Sequence, residues 1–355
     1  MDPDTNTEKP SDARRKKHYK QLLVILFVIF NVAVIFWTAK KEFTRDQAVE
    51  PPVNLPWWLL VPALLSFLVA VCAEIYKYNL LIERFTKQKN LTLARQTVLI
   101  GRYYDNITPS AIGGQPMQIL HMRKHGVPSE FAAMIPVIGF VSTQLAFVLL
   151  CFLMILVGKS LVLSDVVYAA AYIGIFFYAF FPVSIVSCAL APKFTHRLVS
   201  GALSLLAKLH IIKDVEKTRE KVFGEVEKYA KCIKSVIYDK KLLGKVMGLS
   251  VLYQLGMVSI PFFVVTAFGG GIGYFPATFT CIAILAAIAF IPTPGNAGAA
   301  EGSFYLVFAT LPSGNTFWPM IVWRLLTYYA FIAAGAITYL EMGLKRRRLP
   351  SGGET

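Results

Sequence analysis

The chain has 355 residues, 36 Lys+Arg against 21 Asp+Glu, and a formal net charge of +15. Only 16% of residues are charged and 55% are hydrophobic, with a mean hydropathy of +0.55. A soluble domain carries about 25% charged residues, so this balance excludes a disordered chain and argues against a soluble nucleic-acid binder. Few charges with a basic excess fit a polytopic membrane protein whose Lys and Arg sit in cytoplasmic loops.

In chain order, a basic tail (1–20) with Arg14, Arg15, Lys16 and Lys17 precedes an apolar run at 21–38. That run is too long for a signal-peptide core, and no small-residue cleavage site follows it. A span needs roughly 20 apolar residues. Segments 57–80, 131–157, 166–191, 246–268 and 318–340 also qualify as spans, and 275–291 is marginal in length. Trp57 and Trp58 fit an outer interface. Segment 192–245 carries 13 Lys/Arg against 6 Asp/Glu, and Lys345–Arg348 follow the last span. The positive-inside rule therefore places the N-terminus, segment 192–245 and the C-terminus in the cytoplasm of a plasma-membrane protein. Within the basic segment, Val222, Val226, Tyr229, Ile233, Val236 and Ile237 fall at helical steps. An amphipathic linker helix on the inner leaflet is expected, with a plain solvated helix as the alternative.

Two stretches do not read as ordinary spans. Residues 92–125 contain Asn106-Ile107-Thr108-Pro109 and then Gly113-Gly114-Gln115-Pro116; residues 275–311 contain Thr293-Pro294-Gly295-Asn296-Ala297-Gly298 and Glu301. Both carry Thr-Pro-x-x-x-Gly. Pro109, Gly113, Gly114, Pro294, Gly295 and Gly298 are helix breakers, and broken backbone survives in a bilayer only where protein or a wet cavity covers it. Parity of the spans makes 92–125 begin and end inside and 275–311 begin and end outside. The expected fold is all-α, with two inverted-topology repeats, each holding a re-entrant broken hairpin. Half one is 21–191, half two is 246–342, and 343–355 is a cytoplasmic tail.

Ionisable residues at membrane depth are costly, and so are paired, wet or functional. Glu74, Arg102, Asp105, Glu301 and Arg324 stand out, with Asn106, Thr108 and Gln115 as uncharged partners. Arg binds phosphate bidentately, and a broken helix offers N–H groups to anions. These eight residues form the expected substrate site for a phospholipid headgroup. Arg102 and Arg324 would take the phosphate. Glu301, Asp105 and Glu74 would take a cationic group or the arginines themselves. A Glu301–Arg324 pair, or Arg324 lining the cavity, is favoured over Arg324 snorkelling to the interface. Glu74 and Lys77, three apart, could simply neutralise each other. Gln144 and Gln254 read as interhelical hydrogen bonders. Five cysteines and five histidines show no CxxC or HExxH spacing, so no metal, cofactor or catalytic residue is expected.

The ordered motifs Asn106-x-Thr108-Pro109-x-x-x-Gly113-Gly114-Gln115-Pro116 and Pro294-Gly295-x-x-Gly298-x-x-Glu301-Gly302, with Arg324 and Gly335 after them, resemble the lysylphosphatidylglycerol synthase transmembrane family. The resemblance covers residues 20–342. It implies a flippase domain that moves lysylphosphatidylglycerol outward, giving resistance to cationic antimicrobial peptides. In the family's best-known members that domain is fused to a soluble aminoacyltransferase. Here the chain stops at Thr355, so the resemblance implies the translocating half without the fused transferase. Gln115 stands where an acidic residue is common in the family, and Ile138–Ser142 lack its usual early charged residue. The expected function is lipid translocation, with anionic or aminoacylated phospholipids as partners and no nucleic acid. Alternatives left open are phosphatidylglycerol lysyltransferase activity, a partner role beside a separate aminoacyltransferase, and homo-oligomerisation.

Overall fold

The computed structural model describes residues 56–109, 111–157, 165–208, 215–288, 291, 293, 295–308 and 316–348. The expected tail 1–20, the span at 21–38, Pro294 and residues 349–355 lie outside the described residues. The described elements are helices, with no strand among them.

A short 3-10 turn at Trp57–Leu60 leads into α1 (Val61–Thr86). Pro62 suits its first turn, where no N–H partner is needed. Lys87 closes the helix in the left-handed region at φ 61°. The side chain of Asn90 then accepts from the Leu93 N–H at 2.9 Å and starts α2 (Leu91–Ile107). After the first break come α3 (Gly114–Lys124) and the long α4 (Ser129–Val157). Next are α5 (Asp165–Leu190), α6 (Pro192–Lys208) and α7 (Val215–Tyr238). Asp239 caps α8 (Lys240–Ala267) by accepting from the Leu242 N–H at 3.0 Å. The second broken stretch holds α9 (Tyr274–Ala287) and α10 (Ala299–Phe308). The last span is α11 (Phe317–Arg324), one π-helical stretch (Leu325–Tyr329), and α12 (Ala330–Arg348).

Among the described residues, five helical stretches are long and apolar enough to cross a membrane: Trp57–Thr86, Ser129–Leu156, Ala169–Leu190, Lys240–Ala267 and Phe317–Leu344. They coincide with the five described segments read as spans, and the protein is an all-α polytopic membrane protein. The marginal segment 275–291 resolves into the 14-residue α9. At 1.5 Å per residue α9 reaches about 21 Å, short of a ~30 Å hydrocarbon core. It is a half-helix.

Small residues set the closest approaches, as expected where helices pack in lipid. The most extensive helix pair is α1 with α8. There a Cβ on Gly256 would meet Ala70 and the Ser66 carbonyl, and the Ser66 hydroxyl donates to the Gly256 carbonyl at 2.9 Å. α2 lies along α12, where a Cβ on Gly335 would run into Tyr103. α9 lies along α5, where Gly174 presses on the backbone of Ala286. The first helix of the first broken stretch thus leans on α12, and that of the second on α5.

The basic segment differs from expectation in one respect. It forms two helices, α6 and α7, joined by His196 stacked on Phe223 with ring centroids 4.4 Å apart. Ile233 and Val236 of α7 are buried in a protein core with Met134, Ile138 and Val246, and Tyr229 and Ile237 pack against it. The apolar stripe at this end of α7 meets α4, α5 and α8 instead of a leaflet.

Candidate functional site

The first break is held by its own side chains. Thr108 leaves helical geometry (φ −107°, ψ 144°), and its hydroxyl donates to the Tyr104 carbonyl at 2.7 Å. The same oxygen accepts from the Gly113 N–H at 2.9 Å, and the Asp105 carboxylate accepts from the Gly114 N–H at 3.0 Å. Two orphan donors at the start of α3 are thereby satisfied. Gly113 is not a positive-φ residue (φ −75°). Glycine is needed here for space: a Cβ on Gly113 would meet the Thr108 side chain, and one on Gly114 would meet Asp105 and the Gly101 carbonyl. Ala111 takes the left-handed turn at φ 52° and Pro109 is exposed. α3 folds back antiparallel on α2: Gly114 faces Gly101, while the Gln118 amide donates to the Thr97 carbonyl at 3.3 Å.

The second break is built differently. Gly295, Asn296 and Gly298 have φ of 55°, 54° and 85°, so here the left-handed backbone itself calls for Gly and Asn. Glu301, in the first turn of α10, accepts from the Gly298 N–H at 2.6 Å and from Arg324 Nε at 2.6 Å. The other two guanidinium nitrogens of Arg324 donate to the carbonyls of Gly295 and Asn296, each at 3.3 Å. Arg324 and Glu301 are only 6% and 4% exposed. Arg324 turns inward and clamps the break, and does not snorkel.

Two cavities lie beside these breaks. The larger, about 690 Å³, is lined by Glu74, Arg102, Asp105 and Gln115 of the expected site, together with Gln144 and Asn296. Its volume lies within the ~300–1,000 Å³ of small-molecule sites. One side is aromatic: Phe177, Tyr178 and Phe181 of α5, with Phe177 and Phe181 40% and 55% exposed. The smaller cavity, about 140 Å³, is lined by Asn106, Gly295, Asn296, Arg324, Thr327 and Tyr328 among others. The expected residues therefore do not share one chamber. Glu74, Arg102, Asp105 and Gln115 meet in the first, and Asn106 and Arg324 meet in the second. Thr108 and Glu301 lie behind, holding the breaks.

Charge in the larger cavity is arranged as a chain. Glu74 pairs with the fully buried Lys77 at 2.7 Å and with Arg102 at 3.5 Å, and Arg102 lies 4.0 Å from Asp105. Lys77 also donates to Thr143 at 2.5 Å and to the Gly139 carbonyl at 3.2 Å. The Arg102 guanidinium sits over the Tyr253 ring, 4.8 Å from its centroid. Two carboxylates balance two cations, which makes their burial tolerable. Glu74 and Lys77 do neutralise each other, yet Glu74 also reaches forward to Arg102. Gln254 donates to the Thr143 carbonyl at 3.1 Å across α8 and α4, an interhelical bond as read, whereas Gln144 faces the cavity. Among the described residues no group of three or more His, Cys, Asp or Glu could hold a metal.

Sequence reasoning missed Gln118, Tyr253, Asn296 and Tyr328. Asn296 carried a signal, an Asn next to Gly in a breaker. Buried aromatics within apolar helices carry none.

Two comparisons bear on this arrangement. A protein of Archaeoglobus fulgidus described as "UPF0104 membrane protein" is 24% identical over 340 residues, covering 89% of this chain and 95% of the relative. Residues 21–335 match the family described as "Lysylphosphatidylglycerol synthase TM region". That match takes in both broken hairpins, both cavities and Arg324. The chain belongs to the lysylphosphatidylglycerol synthase TM region family.

Proposed function

We infer that the protein translocates phospholipid between leaflets, holding the headgroup in the larger cavity while the acyl chains stay in the bilayer. The observation that carries this reading is the composition of that cavity. Its interior bears Glu74, Arg102, Asp105 and Gln115, and its rim bears exposed Ile112, Phe177 and Phe181. Charged and polar groups inside, with exposed apolar side chains at the rim, suit an amphiphile. Arg102 takes the phosphate, because its planar fork suits a phosphodiester. Glu74 and Asp105 hold Arg102 when the cavity is empty and accept a cationic headgroup group, such as a lysyl ammonium, when it is filled.

Inverted repeats give the motion. α1 and α8 form the central pair, and each hairpin leans on the opposite half. Rocking one half against the other would expose the cavity to each leaflet in turn, with both termini cytoplasmic in a plasma membrane. The lipid is an anionic or aminoacylated phosphatidylglycerol on the strength of the family's name and Arg102. A separate aminoacyltransferase would be the partner that makes it.

The test is a vesicle assay with fluorescent phosphatidylglycerol, followed by chemical quenching of the outer leaflet. Arg102→Gln should slow translocation by about tenfold or more, the factor that corresponds to ~1.4 kcal/mol. Wild-type rates in that variant, at equal protein incorporation, would overturn the assignment. Incubation with lysyl-tRNA and phosphatidylglycerol separates this reading from an enzyme: new lysylphosphatidylglycerol would make the protein a lysyltransferase.

A further inference from the structure

The two cavities share Asn296, and the smaller one is lined by Asn106 from beside the first break and Tyr328 from beside the second. Asn106, the penultimate residue of α2, and Tyr328, in the π-helical stretch, bond reciprocally. The Tyr328 hydroxyl donates to the Asn106 carbonyl at 3.3 Å, and the Asn106 amide donates to the Tyr328 carbonyl at 3.4 Å. Both distances are at the long end for hydrogen bonds, so the pair is weak by geometry. The Tyr328 ring is 2% exposed. A Cβ on Gly295 would overlap that ring, so the second break is wrapped around it. The Arg324 guanidinium stands 5.2 Å from the ring centroid.

The backbone supports the placement. Leu325–Tyr329 is the one π-helical stretch among the described residues. Such stretches occur as single turns within α-helices, frequently at functional sites. This one follows Arg324 directly and presents Arg324 and Tyr328, four apart, to the same Gly295–Asn296 turn. Asn106 is one residue beyond Asp105, whose carboxylate holds α3 in the larger cavity.

We propose that Tyr328 and Asn106 form the gate between the larger cavity and the smaller one. With the pair closed, a headgroup at Arg102 stops there. With the ring swung out of the Gly295 turn, the two chambers join and the polar path continues to Arg324. The gate rests on the translocation reading for its purpose, but its existence is open to test without any transport measurement.

Cys281 lines the smaller cavity and is 3% exposed, so it reports on entry. The background carries Cys72→Ser, Cys151→Ala, Cys188→Ser and Cys232→Ser, which leaves Cys281 as the thiol. Purified protein in detergent is labelled with a small cationic methanethiosulfonate reagent. The rate is measured in this background and with Tyr328→Phe, Asn106→Ala or Tyr328→Ala added. Tyr328→Phe keeps the ring and loses the hydroxyl, so it remains informative if Tyr328→Ala fails to fold. Removing one such weak hydrogen bond should raise the labelling rate by about two- to threefold, and Tyr328→Ala should raise it further. Equal rates in the background, Tyr328→Phe and Asn106→Ala would overturn the gate. So would labelling of the background as fast as unfolded protein, because the chambers would then already be joined. Wild-type transport by Arg102→Gln would sink the translocation reading and leave these labelling results standing.

Discussion

Replacing Glu301 by Gln keeps the size of the side chain and removes its charge. In the native protein one carboxylate oxygen accepts from Arg324 Nε and the other from the Gly298 N–H, both at 2.6 Å. Hydrogen bonds to charged groups are worth about 1.5–3 kcal/mol each, roughly twice neutral ones. An amide that kept both contacts would therefore forfeit about 1.5–3 kcal/mol. One of them must also change character, because an amide nitrogen cannot accept. Arg324 is 6% exposed and would remain charged with no carboxylate beside it, its backbone partners being the carbonyls of Gly295 and Asn296 at 3.3 Å. Breaking a buried pair from one side costs about 3–5 kcal/mol, and that is the expected loss. A second variant, Glu301→Gln with Arg324→Met, removes the stranded charge and should regain at least half of it. Stability would be read by reversible unfolding in mixed micelles. A single-variant cost below about 1 kcal/mol, or strictly additive costs in the double variant, would refute the claim that this pair holds the second break.

The remaining predictions concern packing and surface charge. Gly114→Ala places a Cβ against the Asp105 carboxylate and the Gly101 carbonyl and should destabilise by about 1–3 kcal/mol, measured by the same unfolding. Gly302→Ala, in α10 with open space at its Cβ, should be neutral or stabilising by about 0.4–1 kcal/mol, so the two glycines should move in opposite directions. Arg95 and Glu341 pair at 2.7 Å between α2 and α12 with side chains 38% and 41% exposed. Arg95→Ala should therefore change stability by less than about 1 kcal/mol despite the short distance. Lys77→Met should be far more damaging, because it leaves Glu74, whose side chain is 5% exposed, with only the longer 3.5 Å pairing to Arg102. Glu74→Gln combined with Lys77→Met should recover stability while still slowing lipid movement, since Arg102 loses its support.

Much of the architecture was legible before the structure because it follows from local transfer energetics. Apolar runs long enough to span a bilayer had to be helices, and the five described ones are. Thr108-Pro109 and Gly295 to Gly298 had to interrupt helices, and both do. The cost of a buried charge made Arg324 and Glu301 candidates for a pair, and they meet. Less accessible was the division of labour among the polar residues. Asp105 and Thr108 looked like ligands, yet part of their bonding capacity goes to the first N–H groups at α3. The stripe on α7 looked bound for a leaflet, because an amphipathic pattern specifies an apolar neighbour without saying whether it is lipid or protein.

The sequence by itself determined that this is a multi-pass membrane protein with two broken stretches and a small set of costly intramembrane charges. Periodicity, Pro and Gly, and charge carry that information along one dimension. Only the tertiary structure decided that Glu74, Arg102, Asp105 and Gln115 share a cavity, and that Arg324, Asn106 and Tyr328 line a second one. Those outcomes depend on the rotation of each helix about its axis and on contacts such as Tyr328 to Asn106, 222 residues apart. Non-local packing sets both, and no local pattern encodes it.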